Sequence, residues 1–81
     1  MITKEKALKL RHGDTIYELG EANAIGTPKR WSVNGAIKLW KTRPKEFKVP
    51  IKHGLRTHDY LTHENAHLLT TDEAEAETSL K

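Results

Sequence analysis

Residues 30–40 read Arg-Trp-Ser-Val-Asn-Gly-Ala-Ile-Lys-Leu-Trp, two β-prone runs around an Asn-Gly pair, and no other stretch constrains the fold as much. Asn-Gly between alternating apolar residues is the strongest short-range hairpin signal, because both residues tolerate the left-handed backbone of a tight turn. Two registers compete. A two-residue Asn34-Gly35 loop puts Trp31, Val33, Lys38 and Trp40 on one face and Arg30, Ser32, Ile37 and Leu39 on the other, so both faces are mixed. A three-residue Val33-Asn34-Gly35 loop, with Gly35 left-handed in a bulge, gathers Trp31, Val33, Ile37 and Leu39 on one face. Arg30, Ser32, Ala36, Lys38 and Trp40 then share the other. A one-residue slip flips every side chain, so the apolar pattern selects the bulged register. Trp31 is expected in the core and Trp40 on the surface.

The remaining elements follow from caps, breakers and alternation. Thr3 is a good N-cap for a helix over Lys4 to Arg11, with Ala7, Leu8 and Leu10 inward and Gly13 ending it. Thr15 to Leu19 is β-branched and aromatic and reads as a strand, followed by a loop over Glu21 to Pro28. Pro44 closes the hairpin, and Phe47, Val49 and Ile51 then alternate with Lys48, Pro50 and Lys52. Pro50 cannot donate to a ladder, which places this strand at an edge, at least locally. Thr57 to Leu61 is one more short strand, and Thr62 can cap a turn over His63 to His67. From Thr70 to Lys81 the only large apolar residue is Leu80, so this stretch is expected as an acidic, flexible tail. The expectation is a mainly β fold with a short N-terminal helix, a single domain over residues 1–69 and the tail over 70–81. A chain of 81 residues suits one modest core.

The net charge of +3 hides an asymmetry. Residues 28–58 carry nine lysines and arginines against Glu46 alone, whereas residues 59–81 carry six carboxylates against Lys81. So basic a middle suggests a polyanionic partner. There is no cysteine, which removes disulfides and thiolate-bound zinc and fits a reducing cytosol. No apolar run has the length of a signal peptide or a membrane span, so a soluble, cytoplasmic protein with no membrane partner is expected.

The pattern Leu10-x-x-Gly13-Asp14, Gly26-Thr27-Pro28, Trp31-x-Val33-Asn34-Gly35-x-x-Lys38-x-Trp40-Lys41-x-Arg43-Pro44, Phe47-x-x-Pro50-x-Lys52-x-Gly54-Leu55 and Tyr60-x-Thr62-x-x-Asn65-Ala66 resembles a group of small uncharacterised proteins. Tailed bacteriophages and prophage-bearing bacteria encode them. The resemblance implies an accessory role in the host cytoplasm and carries no activity with it. By analogy, the leading helix and four or five short strands resemble a small SH3-like barrel.

His63-Glu64-Asn65-Ala66-His67 matches H-E-x-x-H, in which two histidines one helical turn apart hold zinc and the glutamate is a general base. That chemistry needs a long helix, and Gly54 and Thr70-Thr71 frame at most two turns. Zinc binding through the His63/His67 pair is therefore a remote alternative, and no catalytic residue, metal or cofactor is assigned. There is also no Gly-rich phosphate loop or G-x-S-x-G turn. The leading expectation is non-enzymatic binding of nucleic acid, DNA or RNA, by the outer hairpin face. Arg30, Lys38, Lys41, Arg43, Lys45, Lys48 and Lys52 would contact phosphates, and Trp40 would stack on a base. The alternative is a module that binds a host or phage protein, with Trp40 as its anchor.

Overall fold

The computed structural model describes residues Met1–Lys81. Its first helix, α1 (Lys4–Leu8), opens on Thr3, whose hydroxyl accepts from Lys6 N at 3.2 Å. It ends before Arg11, because Arg11 N bonds the Asp14 carboxylate at 2.9 Å and turns the chain away. Ala7 is fully buried and Leu10 half-buried, but Leu8, expected inward, is largely exposed. So short a helix does not stand alone in water. Burial of Ala7 and the Lys4 ammonium on the Pro44 carbonyl hold it against the body of the protein.

Six strands follow: β1 (Thr15–Ala22), β2 (Pro28–Val33), β3 (Lys38–Trp40), β4 (Arg43–His53), β5 (Thr57–Thr62) and β6 (Leu69–Thr70). They form one antiparallel sheet in the order β3-β4-β2-β1-β6, with β5 on β4. The chain is mainly β, as its alternation indicates. One core cluster lies on the inner face, where Trp31 and Val33 of β2 meet Phe47, Val49 and Ile51 of β4, with Ile2, Ile16, Leu61 and Leu69 around them.

The Asn34-Gly35 hairpin does not form. β2 and β3 run end to end along the same edge of β4, and the two-residue turn is Lys41-Thr42, between the paired Trp40 and Arg43. Five residue steps from Val33 to Lys38 face three from Ile51 to Lys48, so two residues are extruded around Gly35. Pro50 explains the extrusion. Asn34 N donates to the Pro50 carbonyl at 2.7 Å, but the proline has no N–H to return, so the ladder breaks where β2 gives way to β3. A Cβ on Gly35 would lie 2.8 Å from Pro50 Cγ. Glycine is required here for space, and its φ is not positive; the left-handed glycines are Gly13, Gly20, Gly26 and Gly54. β4 itself is an interior strand, and Pro50 sits at a local gap where its partner changes from β2 to β3.

The inward set of the bulged register survives this change in part. Trp31 and Val33 are buried and Ile37 packs on the core, whereas Leu39 is 47% exposed at the sheet margin opposite Phe47.

The expected flexible tail is also corrected. Leu69–Thr70 pairs with β1, and residues Glu73–Ser79 form a second helix, α2. The Asp72 carboxylate caps it by accepting from Ala74 N at 3.0 Å. Its acidic first turn suits the positive end of a helix. Ala76 is fully buried, Gly20 N donates to Ser79 Oγ at 2.8 Å, and the Tyr17 hydroxyl donates to Glu73 at 2.9 Å. That bond to a carboxylate, with burial, holds the Tyr17 phenol above its ordinary range, against the opposing pull of Arg30. No helix is long and apolar enough to cross a membrane.

Candidate nucleic-acid interface

With Phe47, Val49 and Ile51 turned inward, Lys48, Pro50 and Lys52 project from the opposite, outer face of β4. The register sets Lys38 of β3 directly across from Lys48, and Tyr60 of β5 directly across from Pro50. Each lysine lies over a ring: Lys38 Nζ is 5.6 Å from the Trp40 centroid, and Lys48 Nζ is 3.9 Å from that of Tyr60. Ala36, presented by the extrusion over Pro50, completes a shallow cavity of about 290 Å³ with Lys38, Lys48, Pro50 and Tyr60.

Two like charges directly opposite on one sheet face destabilise it. No carboxylate relieves them, since the ion pairs of the chain are made by the Met1 amino group, Lys29, Arg43 and His63. What holds each ammonium is a ring face, worth roughly 0.5–1 kcal/mol where exposed. The result is a pair of neighbouring cations flanked by two accessible rings, with Trp40 half-buried and Tyr60 46% exposed. Such a surface can meet phosphates with its ammonium groups and bases with its rings.

The other expected contacts divide. Lys41 is exposed in the turn after β3 and continues the basic surface. Arg43 is engaged by Glu46, with Nε 3.3 Å from Oε2. Lys45 is exposed and forms no ion pair. Arg30 and Lys52 belong to a different part of the outer face, where they line a polar hollow with Ser32. The eight expected residues therefore form a platform of Lys38, Trp40 and Lys48, a second group of Arg30 and Lys52, and three outlying cations. Tyr60 was not among them. Alternation across Thr57–Leu61 with Leu61 inward is the signal that could have found it, because it turns Tyr60 outward.

The H-E-x-x-H residues are not helical at the register a zinc site needs. His63 to Asn65 form a turn, and only Ala66–Leu68 make a single 3-10 turn. His63 points to Glu46, with Nε2 3.5 Å from Oε1, and sits edge-on to Phe47. Thr62, as expected, caps the turn, its hydroxyl accepting from Glu64 N at 3.2 Å. Asn65 pins the same turn beneath the platform: its amide donates to the Tyr60 carbonyl at 2.8 Å and its oxygen accepts from Thr62 N at 2.8 Å. No group of three or more His, Asp or Glu side chains is disposed to hold a metal ion.

No protein-family model, curated protein or solved structure matches the chain.

Proposed function

We propose that the chain binds nucleic acid, without catalysis, through the outer face of β3, β4 and β5. The observation that carries this reading is the pair of opposed lysines, Lys38 and Lys48, each over an aromatic ring and neither paired with a carboxylate. Their mutual repulsion disfavours the isolated fold, and a polyanion relieves it. Phosphate contacts would give affinity, with counterion release making it salt-dependent, and Lys41 extends the same surface. Trp40 and Tyr60 supply ring faces on which bases can stack without regard to sequence. In the phage setting that the sequence resemblance suggests, this is an accessory role in the host cytoplasm. An SH3-like layout would be compatible with it and with many other functions, so it adds nothing to the reading.

Fluorescence anisotropy with short labelled single strands of DNA and RNA tests the assignment of the rings. Trp40→Ala and Tyr60→Ala should each weaken binding by about 1–3 kcal/mol, the usual worth of one stacked base. Tyr60→Ala should leave the melting transition within about 0.5 kcal/mol of wild type, as for an exposed side chain. If wild type binds neither polymer at low salt, the reading fails and the platform is better explained as a docking face for an acidic protein.

A further inference from the structure

A second feature of the outer face lies away from the two rings. Thr15 of β1 is directly opposite Ser32 of β2, and Ser32 is directly opposite Lys52 of β4, so one row crosses three strands on one face. Arg30, two residues before Ser32, projects from the same face. These four side chains, with Asn23, His53 and Gly54, bound a hollow of about 300 Å³. No hydrophobic side chain and no carboxylate lines it.

The two cations and two hydroxyls in this hollow are unengaged, while Asn23 donates to Thr27 Oγ1 at 2.6 Å. Neither Arg30 nor Lys52 forms an ion pair, and the hydroxyls of Thr15 and Ser32 make no hydrogen bond within the chain. Arg30 also borders a neighbouring cleft with Tyr17 and Glu73, yet the Glu73 carboxylate accepts its hydrogen bond from the Tyr17 hydroxyl and forms no ion pair with Arg30. The wall is well fixed. His53 Nδ1 lies 2.8 Å from the Arg30 carbonyl, which can only accept, so Nδ1 carries the proton. The Trp31 ring stands 5.6 Å away and braces the imidazole from the core side. The Arg30 backbone is thereby tied to the end of β4 that carries Lys52.

We propose that this hollow is a binding site for a phosphate monoester. Two cations and two hydroxyls converging from three strands match a tetrahedral oxyanion with several free oxygens. A planar carboxylate, with two oxygens, would be satisfied by the arginine fork alone and would leave the other donors idle. The volume is at the small end of ligand cavities, and the absence of apolar lining disfavours an aromatic base inside it. The phosphate enters, and the group esterified to it stays at the mouth. That group can be a free nucleoside or the end of a strand lying on the platform, because Lys52 is four residues along β4 from Lys48, roughly 13 Å.

The test is a ¹H–¹⁵N NMR titration of the whole chain at constant ionic strength, with inorganic phosphate and a nucleoside 5′-monophosphate as probes and sodium chloride as control. Saturable shifts are expected at Thr15, Arg30, Ser32, Lys52 and Gly54, with Lys38 and Lys48 unmoved. The double variant Arg30→Ala/Lys52→Ala should lose at least about ten-fold in affinity while keeping its spectrum elsewhere, and Lys38→Ala should bind the probes as wild type does. Shifts that do not saturate, that chloride reproduces, that centre on Lys38 and Lys48, or that persist in the double variant overturn the site. A 5′-phosphorylated strand that binds more tightly than its 5′-hydroxyl counterpart, with the advantage lost only in the double variant, identifies the strand end as the source of the phosphate. Equal binding of the two strands, beside a saturable response to the monophosphate, identifies a small ester. Failure of the platform would abolish strand binding without touching the monophosphate response, so the two proposals fail separately.

Discussion

Trp31→Ala is expected to cost about 3–5 kcal/mol, the range for truncating a large buried aromatic residue. A small domain has about 5–15 kcal/mol in all, so this variant should be largely unfolded or melt far below wild type. Trp31 is 5% exposed and pairs directly with Ile16, which is fully buried, in the centre of the only core cluster. Its indole N–H donates to Glu18 Oε1 at 3.0 Å, and Lys29 Nζ lies over its ring at 5.1 Å. Truncation therefore leaves a cavity and removes the indole donor from the Glu18 carboxylate, which keeps only Lys29 Nζ at 3.9 Å. Trp40 makes the contrast, because it is only half-buried and packs beside Lys38, so Trp40→Ala should melt close to wild type. Urea denaturation of both variants decides the matter. A Trp31→Ala protein within about 1 kcal/mol of wild type would mean that the core is elsewhere.

Gly35→Ala should cost about 1–3 kcal/mol, the usual effect of overpacking. The added Cβ would lie 2.8 Å from Pro50 Cγ, closer than carbon atoms approach, and the proline ring cannot swing aside. The same substitution in a chain that also carries Pro50→Ala should cost much less, since the atom it strikes is gone. A double-mutant cycle reads this directly as a coupling between residues 35 and 50, expected at about 0.5–3 kcal/mol for side chains in contact. If Gly35 were instead the left-handed residue of a hairpin turn, the alanine penalty would come from its own backbone and would be indifferent to residue 50. Zero coupling would restore that turn.

These two residues also show how far the sequence could be read. Trp31 and Val33 were legible as core, and Lys48, Pro50 and Lys52 as outward, because strand alternation is local and one buried face fixes it. The Asn34-Gly35 turn misled because its signal is local while the deciding residue is Pro50, fifteen positions away and lacking the N–H a continuous ladder needs. With the turn at Lys41-Thr42, Lys38, Lys48 and Trp40 still share the outer face, but the other five expected residues lie outside that platform and Tyr60 was not expected in it. α2 was missed because its one buried side chain is an alanine, Ala76, too small to show in a count of large apolar residues. Asp72 followed three residues later by Glu75 was a cap signature that could have announced it. The grouping of Arg30 with Ser32 and Lys52 depends on which strands pair, and no local pattern contains that.

That Lys38 and Lys48 contact phosphates is tested most directly by the salt dependence of binding to a short single strand. Each phosphate contact on a single strand adds about 0.7 to the magnitude of the slope of log K against log salt concentration. Wild type should lose affinity steeply as salt rises, and Lys38→Ala/Lys48→Ala should bind more weakly at low salt with a slope shallower by about 1.4. Equal slopes in the two proteins would contradict the assignment of the platform, and no binding by wild type at low salt would contradict nucleic-acid binding itself.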